Sequence, residues 1–265
     1  EKAARELKAR VIDNVGQKAN AMFVGTFHSF CYQIMKNFVP ESSPSTLIDQ
    51  SEAIHMLLDR YDEFHPLESE EFSVNPKTAV TDSFIPFFNR LRDELIDLDN
   101  INFDDLKAHY ADNLEHFYQL KDLLRIYPIF QSWKNEQNLI DYNDMIRDAF
   151  DLLKNDFDLL TLIQDKYKHI IIDEFQDNNF ALNEIVRLIA GNKQSITVVG
   201  DDDQVIYSFR GANSYNISTF QNTYSNHPQY RSITLERNYR SSQSILDISN
   251  QSISNNIDRI EKDLI

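Results

Sequence analysis

The sequence predicts an α/β fold, with a parallel sheet layered by helices and interrupted by a long helical segment. Three observations carry that expectation. Short apolar runs at 167–173, 195–201 and 232–236 alternate with helix-like stretches, the pattern of a parallel sheet. The stretch 41–165 reads as mostly helical, punctuated by Pro66, Pro76, Pro86 and Pro128. Two of the apolar runs end directly in acids, Asp173-Glu174 and Asp201-Asp202-Asp203.

The elements follow in order. Glu1 to Val11 reads as helix, with Leu7 and Val11 in an apolar stripe among charges. Ala21 to Gly25 reads as a short buried strand opening into a turn, then a helix through Cys31 and Met35. Pro40 to Pro44 forms a break. Tyr167 to Asp173 is a buried-strand candidate. Ala181 to Ala190 is an amphipathic helix with Leu182, Ile185, Val186 and Ile189 on one side, ended by Gly191-Asn192. Ser195 to Asp201 and Ser232 to Glu236 are the second and third strand candidates. Ser241 to Ile265 is helix-like, with Ile245, Ile248 and Ile253 spaced for one face. The chain does not begin with Met, and both ends fall within helical patterns, so a fragment is expected.

Composition bounds the function. At 265 residues the chain suits one or two domains and a sizeable core. Its 42% hydrophobic content excludes a disordered chain. A single cysteine, Cys31, excludes an internal disulfide framework and cannot alone make a zinc site. No apolar run approaches the roughly 18–20 residues of a membrane span, and no signal-peptide layout is present. A soluble, cytoplasmic protein with no membrane partner is expected. The net charge of −16 argues at first against nucleic acid. Its distribution weakens that argument. Residues 41–165 hold 27 acids and 10 bases, and the remainder is nearly balanced at 15 acids and 16 bases.

The chemistry lies at the strand ends. Carboxylates at the carboxyl edge of a parallel sheet stand where such folds bind ligands. One can hold a hydrated Mg²⁺ that bridges phosphates, and its neighbour can orient and deprotonate a water. Phosphoryl transfer needs both. In Gly200 to Ala212, Gln204 can place an amide near a terminal phosphate. Tyr207, Phe209 and Arg210 put aromatic faces beside a cation, which suits stacking on single-stranded bases. In Leu235 to Ser242, Arg240 suits a transferring phosphoryl group and Tyr239 a nucleobase. The bland alternatives are solvated turns, core aromatics and surface arginines.

In this order and spacing the segments resemble superfamily 1 DNA helicases of the UvrD/Rep/PcrA type, over nearly the whole chain. Lys2-Ala3-Ala4-Arg5-Glu6 looks like the end of motif Ia, and Thr26-Phe27-His28-Ser29 like motif Ib. Leu139 to Asp144 looks like the return from an inserted helical domain. Asp173-Glu174-Phe175-Gln176-Asp177 looks like motif II, Gly200 to Ala212 like motif III, and Asn238-Tyr239-Arg240-Ser241 like motif IV. Gly200-Asp201-Asp202-Asp203-Gln204 differs from the GD-x-KQ form of the RecB and AddA helicase-nucleases. Phe209 stands where many members have Trp, and Asn178 where Thr is usual.

The resemblance implies a RecA-like P-loop NTPase core interrupted by an all-helical inserted domain. Its parts would be a first motor part at 1–44, the insert at 45–140, a second motor part at 141–230 and the start of a second motor domain at 231–265. It implies ATP and Mg²⁺ as cofactors and single-stranded and duplex DNA as partners. Protein partners are unknown. Asp173 would bind Mg²⁺ and Glu174 activate water. Gln204 would sense the γ-phosphate, Tyr239 stack on adenine and Arg240 act as an arginine finger. Thr26, Phe27, His28, Tyr207, Phe209 and Arg210 would line the DNA track. A buried structural role is the alternative for His28. Such helicases move 3′-to-5′ and serve DNA repair or replication. The five glycines form no G-x-x-x-x-G-K-[ST] loop. In the family that loop precedes motif Ia, and motifs V and VI follow motif IV. The 265 residues alone are therefore expected to be inactive. A non-catalytic DNA- or protein-interaction module that retains the fold is the alternative reading.

Overall fold

A computed structural model describes residues 2–38, 46–191, 195–205 and 215–255. The chain divides into two compact units. The first is Glu1–Lys166 with Ala181–Gly191, and the second is Tyr167–Phe180 with Asn192–Ile265.

The first unit opens with α1 (Lys2–Val15), followed by a 3-10 turn at Gly16–Ala21 and α2 (Phe27–Phe38). α2 buries Cys31, Ile34 and Met35, which recur at helical spacing. The strand expected at 21–25 does not form. Its apolar residues have no ladder partner among the described residues, and Met22 is exposed. A Cβ on Gly25 would sit 2.6 Å from Ser29 Oγ and 2.7 Å from the Phe23 ring, so the chain turns tightly into α2 there. The break expected at Pro40 to Pro44 lies outside the described residues.

Between 46 and 140 the chain is helical, as its pattern predicts, but both ends of this stretch are clasped. β1 (Thr46–Leu47) pairs in parallel with β2 (Leu139–Ile140), with Thr46 opposite Leu139 and Leu47 opposite Ile140. The ladder continues through the Ile48 amide to the Ile140 carbonyl at 2.9 Å. Within the stretch come α3 (Gln50–Asp59), α4 (Glu70–Val74), α5 (Pro76–Thr78), a π-helical turn at Ala79–Phe84, α6 (Ile85–Asp93), α7 (Phe103–His109) and α8 (Leu114–Glu136). α3 starts at a reciprocal cap. Asp49 accepts from the Glu52 amide at 2.9 Å, and Glu52 accepts from the Asp49 amide at 2.8 Å. A hydrophobic core of buried residues between 48 and 133, with Leu139 packed against it, centres on Phe64, Phe72, Phe84, Phe88, Phe130 and Trp133. Phe64 stacks on Trp133 at 5.2 Å, and Phe88 on Phe130 at 5.6 Å.

α9 (Tyr142–Asn155), α10 (Phe157–Lys166) and α11 (Phe180–Ala190) complete the unit, except that Phe180 belongs to the second one. Asp141 caps α9 by accepting from the amides of Asn143 and Asp144. The same carboxylate joins a buried ion network. Arg92 Nη1 lies 2.6 Å from Asp141 and 2.6 Å from Asp144, and Lys134 Nζ bonds both. Arg92 and Lys134 are 3% and 1% exposed. Burial alone would raise the Asp141 carboxyl, but the two cations and their hydrogen bonds hold it well below the usual carboxylate range. α11 buries Ile185, Val186 and Ile189, as expected, and ends with Gly191 at φ 51°, where its amide donates to the Arg187 carbonyl at 3.1 Å.

The second unit carries β3 (His169–Ile172) and β4 (Ser195–Val198), parallel, with His169 opposite Ser195 and Ile172 opposite Val198. α12 (Asn216–Tyr224) and α13 (Gln243–Ile253) follow. The two strands are less buried than their apolar runs suggest. Ile172 is enclosed, but Ile171 is 70% exposed. The third expected strand, 232–236, does not form. Ile233 and Leu235 are exposed, and no strand hydrogen-bonds to them among the described residues. α13 buries Leu246, whereas Ile245 and Ile248 of the expected face are exposed.

Candidate functional site

The site grows from the ends of β3 and β4. The ladder runs on past both strands. The Val199 amide donates to the Ile172 carbonyl at 2.8 Å, and the Phe175 amide donates to the Val199 carbonyl at 2.9 Å. The chain leaves β3 through Asp173 and Glu174, both exposed at the sheet edge. Glu174 adopts φ 52° and ψ 43°, the left-handed region. For a residue with a Cβ this costs about 1–2 kcal/mol, and such residues cluster at functional sites. Asp173 Oδ1 accepts the Glu174 amide at 3.1 Å. A 3-10 turn, Phe175–Asp177, follows. α12 holds this turn. Buried Asn216 donates to the carbonyls of Phe175, Gln176 and Asn178, and Phe220 meets the Phe175 ring at 5.5 Å.

β4 ends beside the same turn. Gly200 is required there, because a Cβ would lie 2.6 Å from Gln176 Oε1. Asp201 starts a second 3-10 turn, Asp202–Gln204, by accepting from the Asp203 amide at 3.0 Å. The carboxylates of Asp201, Asp202 and Asp203 lie within 4.8 Å of one another. Those of Asp201 are already engaged by the Asp203 amide and by Gln204, so this run is a turn with a structural occupation. Asp177 Oδ1 is buried without a hydrogen-bond partner among the described residues. Burial first, then the Glu174 charge, raises its carboxyl.

These features are an acid pair at one strand exit, a glutamine at the next and a tight backbone connection between them. They agree with what residues 1–225 show, which is a match to the UvrD/REP helicase N-terminal domain. The chain belongs to that family. It is 30% identical over 266 residues to the ATP-dependent DNA helicase PcrA of Staphylococcus epidermidis (strain ATCC 35984), which covers 99% of this chain and 34% of the relative. The PcrA helicase of Staphylococcus aureus (strain Mu50) is 31% identical with the same coverage. The chain thus spans about a third of the length of these curated relatives.

Within this UvrD-family chain the sequence-predicted site residues that the structure describes fall into three groups. Asp173, Glu174 and Gln204 come together in the second unit. Tyr239 and Arg240 lie on the exposed segment before α13. The Tyr239 ring is 85% exposed with the Arg237 guanidinium 5.2 Å from its centre, and the Arg240 amide donates to Asn238 Oδ1 at 2.8 Å. Thr26, Phe27 and His28 form the start of α2 in the first unit. Thr26 Oγ1 accepts the Ser29 amide at 3.2 Å, so it also caps α2. His28 is half-buried, its basicity is lowered by that burial, and its ring meets Tyr142 edge-on at 5.4 Å. Tyr207, Phe209 and Arg210 lie outside the described residues.

Two further residues touch the expected site residues in the structure. Tyr142 lies inside the noted Leu139–Asp144 segment, yet only the packing of α2 on α9 sets its exposed ring beside His28. Gln176 lies inside the motif II segment, and nothing local shows what its amide touches.

Proposed function

We propose that this chain is part of an ATP-dependent DNA helicase of the cytoplasm that couples ATP hydrolysis to 3′-to-5′ movement on single-stranded DNA and to duplex unwinding, in repair or replication. The observation that carries the reading is the placement of Asp173-Glu174 and Gln204 at adjacent, hydrogen-bonded strand exits. Family membership and the PcrA relatives support it.

The donor set suits a hydrated Mg²⁺. Asp173 is an exposed, hard oxygen ligand at the sheet edge, and among the described residues its carboxylate accepts one hydrogen bond, from the Glu174 amide. Bound there with ATP, the ion would offset phosphate charge. Glu174 orients a water and takes its proton. Gln204 presents its amide to the terminal phosphate. Arg240 neutralises the transferring phosphoryl group, and Tyr239 stacks on adenine. Thr26, Phe27 and His28, with the Tyr142 ring beside His28, offer a face for unpaired bases. Tyr207, Phe209 and Arg210 are read as further DNA contacts.

The domain reading is a RecA-like core with an accessory insert. The parallel clasp at 46–47 and 139–140 brings the insert's entry and exit together, and among the described residues its core draws on positions 48–139. Both support an insert that folds around its own apolar side chains.

Glu174→Gln in the full-length protein tests the catalytic assignment. Steady-state ATP hydrolysis falls at least about 100-fold while nucleotide binding stays within a few-fold, as expected on loss of a general base. Near-normal turnover removes Glu174 from its role.

A further inference from the structure

We propose that Gln176 is a positioning residue whose amide, together with Asp201, forms a hydrogen-bonded bridge between Glu174 and Gln204. This rests on the reading of Glu174 as the base and Gln204 as the phosphate sensor. It adds the device that holds them in one register.

The bridge can be followed atom by atom. Gln176 Nε2 donates to Glu174 Oε2 at 2.7 Å. Gln176 Oε1 accepts the Asp201 amide at 3.0 Å. Asp201 Oδ2 accepts Gln204 Nε2 at 2.6 Å. The amide orientation follows from its partners. A backbone N–H can only donate, so the oxygen must face Asp201, and an ionised carboxylate can only accept, so the nitrogen must face Glu174. Gln176 is 2% exposed, so water does not compete for either bond.

Two further features serve the same placement. Asn216 grips the Gln176 carbonyl at 3.3 Å, which fixes the backbone behind the side chain. Gly200 leaves room for Oε1, where any Cβ would intrude at 2.6 Å. Glutamine suits the position because one planar group must donate in one direction and accept in the other. An ionised glutamate has no donor for Glu174, and leucine has neither function. Movement of Gln204 on meeting a phosphate is therefore transmitted through Asp201 and Gln176 to the residue that activates water.

The test uses the full-length protein with Gln176→Leu, Gln176→Glu, Gln204→Leu and the Gln176→Leu/Gln204→Leu double variant. ATP turnover is measured with and without a saturating single-stranded oligonucleotide. Each single variant is expected to lower kcat about 10–100-fold, the range typical when a supporting hydrogen bond to a reactive group is lost. KM for ATP in the Gln176 variants stays within about threefold, and unchanged circular dichroism and thermal melting separate the kcat loss from a loss of folded enzyme. The double variant loses no more than the worse single variant, because both cut one bridge. Gln176→Glu keeps the shape and the acceptor for Asp201, so it carries the test if Gln176→Leu does not fold. Unchanged kcat in the Gln176 variants, or a double loss equal to the product of the single losses, overturns the bridge. Glu174→Gln is run in parallel. Its inactivity beside normal Gln176 variants removes the bridge alone, whereas its retained turnover removes the underlying assignment and the bridge with it.

Discussion

Asp148 shows how a single carboxyl reports its surroundings. Burial, then the charges of Asp144 and Asp151, raise it to about 7, with Asp141 adding and Lys134 opposing. A raised carboxyl means that the folded chain holds a proton the unfolded chain has released. Stability from this group therefore falls as pH rises from about 4 to about 7 and is flat above. The Asp148 side chain is nonetheless exposed to solvent, which screens these charges and makes the effect small. Asp148→Asn removes the slope. The melting temperature of the variant, relative to the parent, should climb between pH 4.5 and 7.5 (roughly the span between the two protonation midpoints). Parallel melting curves across that span would contradict it. At this scale the sequence shows Asp173 and Glu174 plainly, because acids after an apolar run stand at a sheet edge wherever the strand forms. It does not show Gln176, whose partners are one residue in its own turn and another 25 positions away.

Between elements, the ion network joins α6, α8 and the start of α9 through Arg92, Lys134, Asp141 and Asp144. Arg92 also donates to the Phe88 carbonyl and to Asn89 Oδ1. Arg92→Met leaves two buried carboxylates with Lys134 as their remaining cation. The expected loss is about 3 kcal/mol, near the lower end for breaking a buried pair. Urea denaturation measures it, and a loss below about 1 kcal/mol would show that Lys134 alone neutralises the site. The helices were legible because their periodicity is local. α2, α9 and α11 fold where their apolar stripes and capping residues place them. Strands were less legible, since a strand needs a neighbour to complete its hydrogen bonds. The run at 167–173 found one in β4, whereas those at 21–25 and 232–236 did not among the described residues.

For the whole molecule, the proposed function carries a prediction about these 265 residues, whose five glycines form no G-x-x-x-x-G-K-[ST] loop. Without backbone amides and a lysine to cradle the phosphates, the binding energy of ATP is largely lost. The isolated 265-residue chain is expected to show no ATP turnover above background in a coupled-enzyme assay, with or without single-stranded DNA. Turnover at helicase-like rates would contradict this. The net charge of −16 belongs mostly to residues 41–165, whose core is aromatic and whose acids are largely on the surface. It is therefore a poor guide to whether the near-neutral remainder binds nucleic acid.

The sequence by itself determined the family, the helical stretch between the strand-bearing segments and the acid pair that ends β3. Each is written in local order, as motif spacing, periodicity or strand-end chemistry. Only the tertiary structure decided that β1 and β2 clasp the two ends of that stretch, that Tyr142 lies beside His28, and that Gln176 and Asp201 link Glu174 to Gln204. The clasp, the ring contact and the Gln176–Asp201 bond join residues far apart in the chain, and their partners are chosen by packing and hydrogen-bond completion once the elements meet.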